Sequence, residues 1–130
     1  MSASEQAMHL ANLLACAAAA KLGSDIIAFD VSESLAITDV FVLVTANNDR
    51  QVLAVVDMVD EVANQVGEPV LRREGEIDKR WVLLDLADVV VHVMQPEERQ
   101  LYRLERIWQD APRLQLDLAA PLPTGLVGVV

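Results

Sequence analysis

Two hydrophobic periods alternate along this chain, and the points where one gives way to the other divide it into eight predicted elements. The Ala-rich start, AMHLANLLACAAAA, predicts a helix capped by Ser4, with Met8, Leu10 or Ala11, Leu14 or Ala15, and Ala18 turned inward, ending near Gly23. A strand follows over DIIAFDV, then a polar break at SES, then a second strand over residues 38–46, TDVFVLVTA. Asn48 with Gln51 three residues later marks a helix start, and Val52, Val55, Val56, Val59, Val62, Ala63 and Val66 carry its apolar stripe to Gly67. Residues 69–74 predict a short edge strand, since Pro69 begins it, and GEIDK a loop.

Two β-rich runs come next, residues 81–86 and 89–94. The connection between them is too short for anything but a tight turn, so they form an antiparallel hairpin. Val89, Val90, Val91 and Val93 leave almost no polar alternation, which places the second run centrally, covered on both faces. Pro96 suits a first helical position, Glu97 and Glu98 favour the positive end of the helix dipole, and Leu101, Leu104, Ile107 and Trp108 recur as a docking stripe. The order α-β-β-α-β-β-β-α describes one α/β domain with a mixed five-stranded sheet and helices packed on it. From Asp110 the periodicity stops and Pro112, Pro121 and Pro123 intervene, so residues 1–111 form the expected domain and 112–130 a mobile tail.

The 130 residues are 53% apolar, enough for one core. Twenty carboxylates against ten cations give a net charge of −10, which disfavours a protein whose affinity comes from neutralising phosphates and suits a basic protein partner, so no direct sequence-specific contact with nucleic acid is expected. One cysteine, Cys16, excludes an internal disulfide and fits a reducing compartment, the cytoplasm. Leu13 to Cys16 resemble a lipoprotein cleavage box, but Glu5 stands where a positive flank belongs and no apolar run of about 20 residues exists to span a bilayer. Cys16 then reads as a small packing residue, and no membrane association is expected.

Asp30, Asp39, Asp49, Asp85, Asp88 and His92 are the candidates for chemistry, and they form no hydrolase or transferase spacing. His9 and Cys16 lie seven apart and His92 is isolated among valines, so no metal set is visible, and His92 reads as a hydrogen-bonded sheet histidine. Nor is there a glycine-rich phosphate loop. Magnesium-dependent nucleotidyl transfer needs two carboxylates together on a strand. Asp39 supplies one, but Phe41 occupies the alternate position.

Four blocks together resemble the ribosomal silencing factor, or Iojap-related, family over residues 7–111. They are Asp39, Phe41 and Val42; Asn48 to Val52; Glu74 and Gly75; and Trp81 to Met94 continued by Glu98, Arg99, Leu101, Tyr102, Leu104, Glu105 and Trp108. The resemblance implies a nucleotidyltransferase-like fold without its catalytic site, no cofactor, and no enzymatic activity. It implies binding to large-subunit ribosomal protein fourteen, a steric block to small-subunit joining, and lowered translation when nutrients are short, as in stationary phase. A related organelle branch serves large-subunit assembly. Val40 departs from the family's usual aromatic, altering the expected contact surface, and Ala87 replaces the usual turn glycine, which matters if that turn needs a positive φ.

Strand parity puts Trp81, Leu83 and Asp85 on one side and Val82, Leu84 and Leu86 on the other. If the latter set meets the helices, the former is free for a partner, with Trp81 as anchor or, on the plainer account, as a cap on the core. Met94, Arg99 and Tyr102 extend that patch where the last strand meets the final helix, Arg99 reading equally well as a solvated charge. The Asn48–Arg50 turn is a cap or an anion receptor, and Asp39 is placed to hold Arg50. Other candidate roles are a large-subunit assembly adaptor, a degenerate nucleotidyltransferase, and self-association through the apolar sheet face when the true partner is absent. The surrounding ribosomal RNA is expected to repel so acidic a domain.

Overall fold

The computed structural model describes residues 2–123 and contains helix α1 (Glu5–Ala20), strands β1 (Ser24–Asp30) and β2 (Val40–Thr45), helix α2 (Asp49–Gln65), strands β3 (Arg72–Glu74), β4 (Trp81–Asp85) and β5 (Val89–Met94), and short helices α3 (Pro96–Tyr102) and α4 (Leu104–Ile107). The sheet order is β1-β2-β5-β4-β3. β2 and β5 are parallel and every other neighbouring pair is antiparallel. β5 is therefore central, and all six of its residues are buried.

The helix starts follow from the caps. Ser4 Oγ accepts the Ala7 N–H at 3.0 Å, and Asn48 Oδ1 accepts the Gln51 N–H at 2.9 Å while Gln51 Oε1 accepts the Asn47 N–H. α2 ends where Gly67 takes φ 77°, a conformation that costs glycine little. Both helices lie on one face of the sheet. There Val40, Val42, Val44, Val82, Leu84, Val91 and Val93 meet Leu10, Leu14, Val52, Val55, Val59 and Val62 in a single core. Cys16 is buried in α1, its thiol donating to the Asp117 carbonyl at 3.1 Å, and burial is the main force pushing its pKa up.

The opposite face carries a smaller cluster, Phe29, Val31 and Leu43, roofed by Phe41, Leu104 and Trp108. The stripe predicted to dock one final helix is split. Arg103 takes the left-handed conformation (φ 46°, ψ 55°), ending α3 and starting α4, and Leu101 and Ile107 are left 72% and 65% exposed. Only Leu104 and Trp108 pack.

Residues after Pro112, expected to leave the domain, stay on it. The Asp30 N–H donates to the Pro112 carbonyl and the Leu114 N–H to the Ala28 carbonyl, with Arg113 bridging Phe29 along the outer margin of β1. Asp117 then exchanges hydrogen bonds with Asn12 of α1, and Leu114, Leu116 and Leu122 pack against the main core. The remainder of the predicted tail, 124–130, lies outside the described residues.

Candidate partner-binding face

The alternation of β4 decides which side chains reach the less covered face: Val82 and Leu84 are fully buried toward α1 and α2, while Trp81, Leu83 and Asp85 are half-buried on the other side. Cross-strand pairing sets His92 opposite Leu83, and in register with Leu43 on the far side. Trp81 Nε1 donates to His92 Nδ1 at 3.0 Å, so neutral His92 carries its proton on Nε2, which is buried with no partner. Phe41 meets His92 edge-on at 4.9 Å and Trp108 edge-on at 5.5 Å. Tyr102, half-exposed, lies 4.9 Å from Trp81. An aromatic row thus crosses the sheet from Tyr102 to Trp108, and His92 is its hydrogen-bonded centre. Burial holds the His92 pKa down at about 4.

Beside this row, a cleft of about 380 Å³ opens between the loop after β1 and the β3–β4 edge, lined by Leu35, Ile37, Phe41, Leu71, Leu83 and Val90. Ile37 and Leu71 at its rim are 86% and 68% exposed. Leu83 and Asp85 therefore stand where the sequence placed them, with Trp81 and Tyr102 adjacent. Asp85 is partly engaged: its Oδ1 accepts the Ala87 N–H at 2.8 Å, and its Oδ2 lies 3.8 Å from Arg72.

Met94 and Arg99 are not on that surface. Met94, paired with Trp81 at the end of β5, is fully buried. Arg99 is 9% exposed and is neither patch nor solvated charge. It donates to Thr45 Oγ1 at 2.9 Å and to the Asp25 carbonyl at 2.8 Å, with Glu105 at 3.4 Å. The β1 irregularity at Asp25, φ 46°, belongs to that contact. Val40, whose departure from the family pattern was expected to alter the contact surface, is buried against the helices. Ala87 does take a positive φ, 70°.

Open α/β sheets bind ligands outside the carboxyl ends of their parallel strands. Here that crevice is filled by a polar network that sequence reading missed, because its members come from three stretches of chain distant in sequence. Gln95 Nε2 donates to Asp49 Oδ1 at 2.7 Å and to the Lys79 carbonyl at 2.9 Å. Arg80 donates to Gln95, Glu97 and Glu98, the last at 2.9 Å, and this holds the Glu98 carboxyl below its usual range. The Asn48–Arg50 turn is accordingly a cap tied to this network. Asp39 does not hold Arg50; its Oδ2 accepts the Ser4 N–H at 2.9 Å. Asp30 anchors the same N-terminal segment by accepting the Ala3 N–H at 2.8 Å. Burial opposes its charge, but hydrogen bonds from Ser32 and Ala3 hold its pKa low. Among the described residues no group of three or more His, Cys, Asp or Glu side chains could hold a metal, and no helix is long and apolar enough to cross a membrane.

Fold and face together define a small α/β domain with one sheet surface closed by helices and the other half open along an aromatic row. The chain belongs to the ribosomal silencing factor family, whose profile, described as ribosomal silencing factor during starvation, matches residues 4–124. It is 41% identical over 113 residues to the ribosomal silencing factor of Bacillus subtilis, covering 85% of this chain and 96% of that one. A crystal structure of a Chromobacterium violaceum protein superposes with a TM-score of 0.75 at 29% identity, covering 89% of this chain and 94% of the other. A more distant relative, 29% identical over 87 residues, is the mouse protein named mitochondrial assembly of ribosomal large subunit protein 1. The match covers 65% of this chain and 38% of that protein.

Proposed function

We propose that this protein binds the large ribosomal subunit through ribosomal protein fourteen and, seated there, blocks entry of the small subunit, lowering translation in the cytoplasm when nutrients are scarce. The observation that carries this reading is the half-open aromatic face beside an apolar cleft, on a chain of net charge −10. Apolar and aromatic groups of that kind anchor small interfaces, and an acidic body gains on-rate and orientation against a basic ribosomal protein. Trp81, Leu83, Asp85 and Tyr102 make the contact. Met94 and Arg99 support it from behind. No bond is made or broken, so occupancy follows mass action against subunit association. Off the ribosome, the same face is where a second copy of the chain would associate.

The test mixes purified large and small subunits with excess protein and follows formation of whole ribosomes by gradient sedimentation. Whole ribosomes should be depleted, and Leu83→Glu, which leaves the helix-facing core untouched, should weaken large-subunit binding at least about tenfold. Undiminished joining at saturating protein would sink the reading. The mouse relative's name favours an assembly role as a second reading, which predicts accumulation of precursor large subunits in a deletion strain during rich growth.

A further inference from the structure

Charge is unevenly distributed over this molecule. From Arg99 to Arg113 the chain holds four arginines and two carboxylates, a local excess of two positive charges on a protein that carries −10 in total. Elsewhere most arginines are neutralised within the fold, Arg72 by Glu74, Arg73 by Asp60 and Glu76, and Arg80 by Glu97 and Glu98, while Arg50 stands exposed and, among the described residues, alone at the start of α2. Arg99 likewise faces Glu105. Arg103, Arg106 and Arg113 differ. All three are exposed, and none lies within ion-pairing distance of a described carboxylate, despite the twofold excess of acids. The Arg103 guanidinium donates to the Gln100 carbonyl, and the Arg113 guanidinium sits 5.4 Å from the centre of the Phe29 ring. The same segment exposes Leu101, Tyr102 and Ile107.

We infer that the segment running from the α3–α4 junction to Arg113, through Arg103, Arg106 and Arg113, is a contact surface for the phosphate backbone of RNA. Guanidinium groups match phosphate oxygens bidentately. The carboxylates Glu97, Glu98 and Glu105, which would otherwise repel phosphate, are held by Arg80 and Arg99. A molecule with an acidic body and one cationic margin is oriented by an RNA-rich surface: the body is repelled and this margin turns toward it. The general repulsion expected from net charge therefore becomes a directional effect. The inference rests on the proposed ribosomal function only for where such RNA would be met.

The experiment is a two-dimensional amide and arginine side-chain NMR titration of the full chain with a short RNA hairpin at about 20 mM salt, where weak phosphate contacts persist. Shifts should concentrate in residues 101–113 and disappear in R103Q/R106Q/R113Q. Because Arg113 also packs on Phe29, R103Q/R106Q serves as a second variant and should lose most of the response while keeping the native spectrum. In parallel, the logarithmic salt dependence of large-subunit binding should fall in slope by about 2 to 3 in the triple variant. No shift in this segment would overturn the inference, as would shifts that persist in both variants. Equal shifts with polyglutamate would also overturn it, by assigning the surface to an acidic protein. If large subunits fail to bind while the RNA titration succeeds, it is the ribosomal reading that fails.

Discussion

Acidification from neutral pH should weaken this protein through one side chain in particular, His92. His92 is 4% exposed and lies between Leu43 and Leu83 on its neighbouring strands, with Phe41 and Trp81 against its ring. Its pKa is held at about 4 by burial, against 6.5 in the unfolded chain. The folded-state value is the lower one, so between those limits the unfolded state binds the extra proton and stability falls as pH falls. Linkage gives a loss of roughly 2 kcal/mol by pH 5 and about 3 kcal/mol by pH 4, relative to neutral pH. Protonation would also remove the acceptor for the Trp81 indole N–H, so the aromatic row loosens with the fold. Urea denaturation followed by circular dichroism at pH 7.5 and pH 5 measures the loss, which in thermal melts is on the order of 8 °C. In His92→Gln the difference between the two pH values should shrink by most of that amount. The imidazole can be followed directly by NMR in the unaltered protein, so the prediction survives a variant that folds poorly. A native His92 titrating near 6.5, or parallel losses in both proteins, would refute the reasoning.

Two other substitutions separate strain from tethering. Ala87→Gly should raise the urea midpoint without changing the m-value, by about 0.5–1 kcal/mol, because relief of the left-handed φ of 70° outweighs the extra freedom of glycine in the unfolded chain; a lower midpoint would contradict the strain. Arg99→Met should cost about 3 kcal/mol by leaving Thr45 and the Asp25 carbonyl without their donor and Glu105 without its ion-pair partner, while the fraction still folded keeps its affinity for large subunits; lost affinity with stability intact would return Arg99 to the binding surface.

Local patterns carried most of the fold. α2 was legible because a capping box and an unbroken valine period agree, and β5 because a strand with no polar alternation has nowhere to lie but the middle of a sheet. Parity alone separated Trp81, Leu83 and Asp85 from Val82 and Leu84. What escaped depends on contacts distant in sequence. Nothing near Arg103 announces a left-handed residue, since neither glycine nor proline stands there, so two helices read as one and the burial of Leu101 and Ile107 was overestimated. Arg99 was misplaced for the same reason: whether it faces water depends on where α3 lies, and that is set by the Asp25 carbonyl some seventy residues away. The prolines after Asp110 signalled loss of regularity correctly. They could not reveal that three residues suffice to line a strand margin.

That lining has a consequence for how the sheet meets its neighbours. Bare strand margins recruit other chains, and folds guard against this by shortening, charging or covering them. Here the β3 side is three residues long and carries Arg72, Arg73 and Glu74, while the β1 side is closed by Pro112 to Leu114. A chain cut at Ala111, where regular structure ends, would free the Asp30 amide and the Ala28 carbonyl at once, turning a protected border into a template for aggregation.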